Sequence, residues 1–149
     1  MSPREPIALD LPSEPGILAV VRETLRVLAR CQPCVRLDDS AVGEMQVALQ
    51  EACTNAIRHA HDRDATRRIQ VVFHRAPDGL LIEVSDGGEP YELSDHVPDP
   101  EDLAEGGYGT SIMRAWMDEV RLERRDDRNV LTLFRRYDRE TVVSGDVAC

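Results

Sequence analysis

The chain has 149 residues and 16.7 kDa, enough for one domain with a single modest core, and its 42% hydrophobic, 31% charged and 4% aromatic residues describe a folded chain with an aliphatic interior. With 28 acidic against 18 basic residues the formal charge is -10, which excludes a surface built to neutralise nucleic-acid phosphates or anionic lipid and favours cationic partners. All 18 basic residues are Arg, so a P-loop Lys, a Schiff-base Lys and a Lys general base are excluded as well.

In chain order, Ile7-Ala8-Leu9-Asp10-Leu11 alternates like a short strand, and Ser13 stands where a cap would open a helix with the apolar stripe Ile17, Val20, Val21, Leu25 and Leu28. That helix is expected to end near Arg30. Residues 40–61 lack Pro and place Val42, Met45, Leu49, Ala52, Ala56 and Ala60 at three- and four-residue steps, which predicts a second helix. Ile69, Val71 and Phe73, the turn Ala76-Pro77-Asp78-Gly79, and Leu80, Ile82 and Val84 read as a β-hairpin.

An acidic, Pro-bearing stretch from about Gly87 to Glu105 reads as a long loop, and Gly106-Gly107-Tyr108-Gly109 leads into a third helix on whose core face Ile112, Met113, Trp116 and Met117 fall. Residues 120–124 and 130–136 form a second hairpin around Asp126-Asp127-Arg128-Asn129, and the remainder to Cys149 reads as a disordered tail. Three helices and about five strands, joined by hairpins, predict a two-layer α/β sandwich: a mixed, largely antiparallel sheet with the helices on one face. No stretch approaches the ~20 apolar residues of a membrane span, and no secretory signal opens the chain, so a cytoplasmic location without membrane or nucleic-acid contacts is expected. Cys31, Cys34, Cys53 and Cys149 then read as thiols, Cys53 in the core, and the Cys31/Cys34 pair lacks the second ligand pair of a zinc site.

Three groups could carry chemistry. Glu51, Asn55 and His59 line one polar stripe of the second helix; a carboxylate one turn from a carboxamide can take a proton and hold Mg²⁺ through oxygen, although the same stripe also suits a solvated face. Asp86-Gly87-Gly88 ends a strand, where an ionised Asp can accept from an exocyclic amine and a glycine lets the backbone approach a flat ring; it is also ordinary turn chemistry. Gly106, Gly107 and Gly109 open a helix, whose free N–H groups favour phosphate, or serve a hinge.

In this order, Glu51-Ala52-Cys53-Thr54-Asn55-Ala56-Ile57-Arg58-His59-Ala60, Asp86-Gly87-Gly88 and Glu105-Gly106-Gly107-Tyr108-Gly109 resemble the N, G1 and G2 boxes of the GHKL ATPase superfamily, with its Bergerat-type fold. With Pro90-Tyr91 and Met117-Asp118, the chain more narrowly resembles bacterial anti-sigma factor serine kinases, over roughly Ile7 to Arg136. The resemblance implies a single ATP-binding kinase domain over residues 1–136, with residues 87–108 as the ATP lid. It implies Glu51 as general base for a partner's serine, Asn55 as the Mg²⁺ ligand, and His59, with Arg58, near the phosphates. Asp86 would take the adenine amine and Gly88 would floor the base pocket; Gly106, Gly107, Tyr108, Gly109 and Thr110 would hold the phosphates, and Thr132 would join the adenine's water network. Its implied partners are a sigma factor and an anti-anti-sigma factor, and its implied assembly a homodimer.

Two features depart from that pattern. The loop carries no Arg to face a transferring phosphate, which leaves Arg58, Arg63, His59 or a partner's Arg for that place, and Thr110-Ser111 stands where an apolar pair is expected. A nucleotide-binding interaction module without kinase turnover is the alternative reading.

Overall fold

The computed structural model describes residues 4–30, 37–62, 64–93 and 109–137. Strand β1 (Ile7–Pro12) leads into α1 (Ile17–Ala29) and α2 (Asp39–Asn55), which continues as a π-helical turn over Ala56–Ala60. β2 (Arg68–Arg75), β3 (Gly79–Asp86), α3 (Gly109–Trp116), β4 (Glu119–Arg125) and β5 (Arg128–Arg136) follow. The strands form one sheet in the order β1-β2-β3-β5-β4, and all four pairings are antiparallel, so the parallel component of the expected mixed sheet is absent among the described strands.

Period-two alternation decides the two faces of this sheet. Ile69, Val71, Phe73, Leu80, Ile82, Val84, Leu131 and Leu133 all point inward and are buried against the helices. The outer face carries charge instead: His74 and Arg125 both meet Glu83, at 2.7 and 3.0 Å, and Arg121 and Arg125 both meet Glu123. Helices on one face and charge on the other make the sandwich two layers deep.

α2 is the central helix, packed against α1 on one side and α3 on the other. Its inward residues Met45, Ala48, Leu49, Ala52 and Cys53 are fully buried, and small residues at 48 and 52 let the neighbouring helices approach. Asp38 caps it, accepting from the Ala41 N–H at 2.7 Å. Arg135 of β5 ties the helices to the sheet, donating to Glu44 Oε2 at 2.9 Å and to the Trp116 carbonyl at 2.6 Å. Cys53 is sealed in the core, where burial pushes its thiol up to about 12.

Three local expectations are corrected. Ser13 does not cap α1, which starts after Gly16 with no side-chain cap; its hydroxyl is buried and bonds His61 Nδ1 at 2.8 Å, tying the chain before α1 to the residue after the π-helical turn. Trp116 is 40% exposed and Val20 48%, because α3 presents Met113 and Met117, and α1 presents Val21 and Leu25, to the core. Tyr137, assigned to a tail, is buried, with its N–H on the Asp78 carbonyl at 3.0 Å; residues 138–149 lie outside the described ones. In the β4–β5 turn Asp126 and Asp127 both have positive φ, 49° and 61°, a conformation the short polar Asp tolerates and one that suits the twist of a two-residue hairpin. No helix among the described residues is long and apolar enough to cross a membrane.

Candidate functional site

β3 delivers Asp86 to the inner face at its last residue, 1% exposed. One carboxylate oxygen, Oδ1, accepts from the Gly88 N–H and from Asn129 Nδ2, both at 2.9 Å, and His61 Nε2 stands 3.8 Å from it. The other oxygen, Oδ2, is buried with no partner among the described residues. A buried acceptor without a donor costs about 1–3 kcal/mol, more when charged, so this oxygen marks a place for a donor that the described residues do not provide. An exocyclic amine of a purine fits that requirement. Desolvation holds the His61 imidazole below its ordinary pKa, against the opposing pull of the Asp86 charge, so the histidine beside this carboxylate is neutral at neutral pH.

Gly88 also lies tight against the chain itself. A Cβ there would lie 2.0 Å from the Ala60 carbonyl oxygen and 2.7 Å from His61 Cδ2, and the next residue, Glu89, donates its N–H to that same Ala60 oxygen at 3.0 Å. The missing side chain therefore makes room for the chain itself, seating residues 88–89 on the end of the π-helical turn. Thr132 is not brought to this pocket. Asp86 pairs with Asn129 across β3 and β5, so Thr132, three residues on, points to the opposite face of the sheet, opposite Glu83 and Arg121. Its place beside Asp86 is taken by Asn129.

The second half of the site lies where α3 begins. Glu51 and Asn55, one turn apart on α2, are both half-buried, and a Cβ on Gly109 would sit 2.8 Å from Glu51 Oε2 and 3.8 Å from Asn55 Oδ1. Three sequence-predicted residues thus converge, and only glycine leaves the carboxylate and carboxamide uncovered. Burial raises the Glu51 pKa, and the Arg58 guanidinium on the π-helical turn pulls it back down. Thr110 is buried beside Gly109, in the place where an apolar residue was expected.

The π-helical turn has a consequence for His59. It spends one extra residue, shown by the His61 N–H reaching back to the Ala56 carbonyl at 3.1 Å, so the regular spacing from Asn55 no longer applies. The exposed His59 ring lies 6.0 Å from that of Tyr91. Tyr91 is the phenol that burial, with the Asp86 charge, shifts upward. Gly106, Gly107 and Tyr108, most of the expected lid, Arg63, and the Cys31, Cys34 and Cys149 thiols lie outside the described residues. His61, Asn129 and Arg124, which join the polar group around Asp86, carried no sequence expectation; the signal for Asn129 was the parity of β5, counted two residues on from the Asp126-Asp127 turn.

A sequence profile of the histidine kinase-like ATPase domain matches residues 13–135, most of the chain and every element from α1 to β5. The chain belongs to this family. It is 31% identical to a serine-protein kinase RsbW of Bacillus licheniformis, covering 93% of this chain and 90% of that protein, and 29% identical to the RsbW of Bacillus subtilis over 78% and 77%. Among solved structures it resembles the RsbU and RsbW domains of Rv1364c from Mycobacterium tuberculosis, with a TM-score of 0.64 at 21% identity over 91% of this chain and 33% of that longer one. The histidine kinase domain of a blue-light activated kinase from Erythrobacter litoralis matches with a TM-score of 0.52 at 17% identity, over 83% and 60%. These two share the fold.

As a histidine kinase-like ATPase domain the chain uses ATP, and the orphaned Asp86 oxygen is the feature of this structure that fits its base. Gly109 leaves Glu51 and Asn55 uncovered where α3 begins.

Proposed function

We propose that this chain is an ATP-dependent protein serine kinase that phosphorylates an anti-anti-sigma protein and, in its alternative partnership, sequesters a sigma factor. The observation that carries this reading is the convergence of Glu51, Asn55 and Gly109 at one end of a site whose other end is the unpartnered oxygen of Asp86. Bound ATP with Mg²⁺ supplies the transferable phosphoryl group and neutralises phosphate charge. Asp86 Oδ2 accepts from the base amine and orients the nucleotide. Asn55 Oδ1 would hold the metal, as Mg²⁺ sites use one or two protein oxygens beside the phosphates.

The first N–H groups of α3 would receive the phosphates, as at other helix N-termini. Glu51 would accept the proton of the partner's serine hydroxyl; burial raises its carboxyl, which makes it a stronger base than an exposed Glu, and the Arg58 charge favours its ionised form. Arg58, the cation whose charge already reaches Glu51, stands in for the Arg that the loop of residues 87–108 lacks. The protein works in the cytoplasm as a homodimer, and its charge of -10 favours docking on a basic sigma-factor surface, an attraction that salt weakens.

Incubation with labelled ATP, Mg²⁺ and an anti-anti-sigma protein should yield phosphoserine on that protein, and Glu51→Gln should abolish transfer while nucleotide still binds. Transfer undiminished in that variant removes Glu51 from the role of base. Binding without transfer to any such partner would leave an interaction module shaped by nucleotide, the reading that the acidic, Arg-free loop favours.

A further inference from the structure

Behind Asp86 lies a relay of polar side chains that the roles above leave unused. Asn129 opens β5 on the inner face and is 2% exposed. Its Nδ2 donates to Asp86 Oδ1 and to the Glu89 carbonyl, both at 2.9 Å, and its Oδ1 accepts from Arg124 Nη1 at 3.0 Å. The same Arg124 nitrogen donates to the Gly88 carbonyl at 2.9 Å, reaching in from the exposed strand β4.

The direction of this relay is fixed by chemistry. A guanidinium can only donate, so the atom of the Asn129 amide that faces Arg124 must be its oxygen, and the NH₂ group is thereby turned toward Asp86. With the Gly88 N–H on the same side, two donors engage Oδ1 and, among the described residues, none engages Oδ2. Without Arg124 the amide oxygen loses its donor and only Asp86 and the Glu89 carbonyl still orient the amide, so its hold on one fixed presentation of Asp86 is weakened. The remaining charged or titratable neighbours of Asp86 are His61 at 3.8 Å, the Arg128 guanidinium on β5 and the Tyr91 phenol, and none of them fixes which carboxylate oxygen is free.

We propose that Arg124 and Asn129 are positioning residues that set the base selectivity of the site: they hold Asp86 Oδ1 engaged so that Oδ2 meets the ligand as a pure acceptor, favouring a 6-amino over a 6-oxo purine. This rests on the nucleotide reading above. A site built to accept from an amine rejects an oxo group at that position, because two acceptors then face each other.

The test is calorimetric titration of the full chain with Mg²⁺ and either ATP or inosine triphosphate, which differ in the amine that becomes an oxo group. Arg124→Met is expected to weaken ATP binding by about tenfold with inosine triphosphate unchanged, the loss appropriate to a misdirected charged hydrogen bond. Arg124→Lys, which keeps a donor-only head, should restore most of the preference. Asn129→Leu should abolish it, and because Asn129 is buried the Arg124 pair keeps the test decisive if that variant fails to fold.

Equal weakening of both nucleotides in Arg124→Met, or a preference identical to wild type, overturns the relay. Asp86→Asn separates the two failures. If it leaves the preference intact, the assignment of Asp86 to the base is wrong; if it removes the preference while Arg124→Met does not, only the relay is wrong.

Discussion

At the Asp86 end of the site the polar groups are buried and already bonded into the fold: Asn129, the Gly88 backbone and the His61–Ser13 pair all belong to the packing that joins β3, β5 and the end of the π-helical turn. At the Glu51 end the carboxylate, the carboxamide and the first residue of α3 meet half-buried, and the carboxylate stays open because a glycine faces it. The groups proposed to recognise the base are thus held by the same contacts as the fold, whereas the groups proposed for transfer carry little of it. Substitutions at the first end should disturb folding and binding together, and those at the second should disturb chemistry alone.

The largest expected effect tests the second half of that contrast. Glu51→Gln should cut phosphoserine formation by about 10²–10⁴-fold, the range for removal of a general base, with a melting temperature no lower than wild type because burial already disfavours the Glu51 charge. An early-melting Glu51→Gln would show that this end is structural after all.

Two glycine substitutions place the contrast side by side. In Gly88→Ala the new methyl meets backbone at Ala60, which cannot move cheaply, and a loss of about 3 kcal/mol in denaturant unfolding is expected. In Gly109→Ala it meets the far end of the Glu51 side chain, so stability should change by under about 1 kcal/mol while phosphoryl transfer falls. Equal destabilisation by both would erase the distinction.

Smaller effects follow from the titrating groups. His61 is held neutral in the fold by burial, so below its ordinary pKa of 6.5 the unfolded chain takes up a proton that the folded chain resists. Its contribution is fully present above that value and is lost as pH falls. The stability difference between wild type and His61→Asn, read from urea unfolding, should therefore be more favourable to wild type at pH 7.5 than at pH 5.5. The smallest shift concerns Arg58, whose charge lowers the Glu51 pKa: in Arg58→Ala the acid limb of the transfer rate should move to higher pH.

Much of this arrangement was legible before any coordinates, for physical reasons. The alternation in residues 69–73 and 80–84 and the three-to-four spacing from Val42 to Ala60 are signals of burial, and burial is what the fold obeys. Glu51, Asn55 and Gly109 came together as expected. Thr132 failed on parity: one residue of register turns a side chain to the other face, and strand alternation alone does not say which of Asn129 and Thr132 lies beside Asp86.

The π-helical turn, the burial of Ser13 against His61 and the exposure of Trp116 had no local signal at all, since each depends on which neighbouring element occupies the adjacent space. Gly88 was expected to floor the base pocket; that a side chain there would also meet Ala60 and His61 is a contact that only the tertiary structure reveals.

The most direct measurement is calorimetric titration of ATP with Mg²⁺ into wild type, Asp86→Asn and Glu51→Gln, each with its thermal unfolding recorded. A base site at Asp86 separate from a transfer site at Glu51 predicts that Asp86→Asn loses at least about tenfold in affinity, while Glu51→Gln binds within a few-fold of wild type and transfers nothing. Wild-type affinity in a folded Asp86→Asn would contradict it.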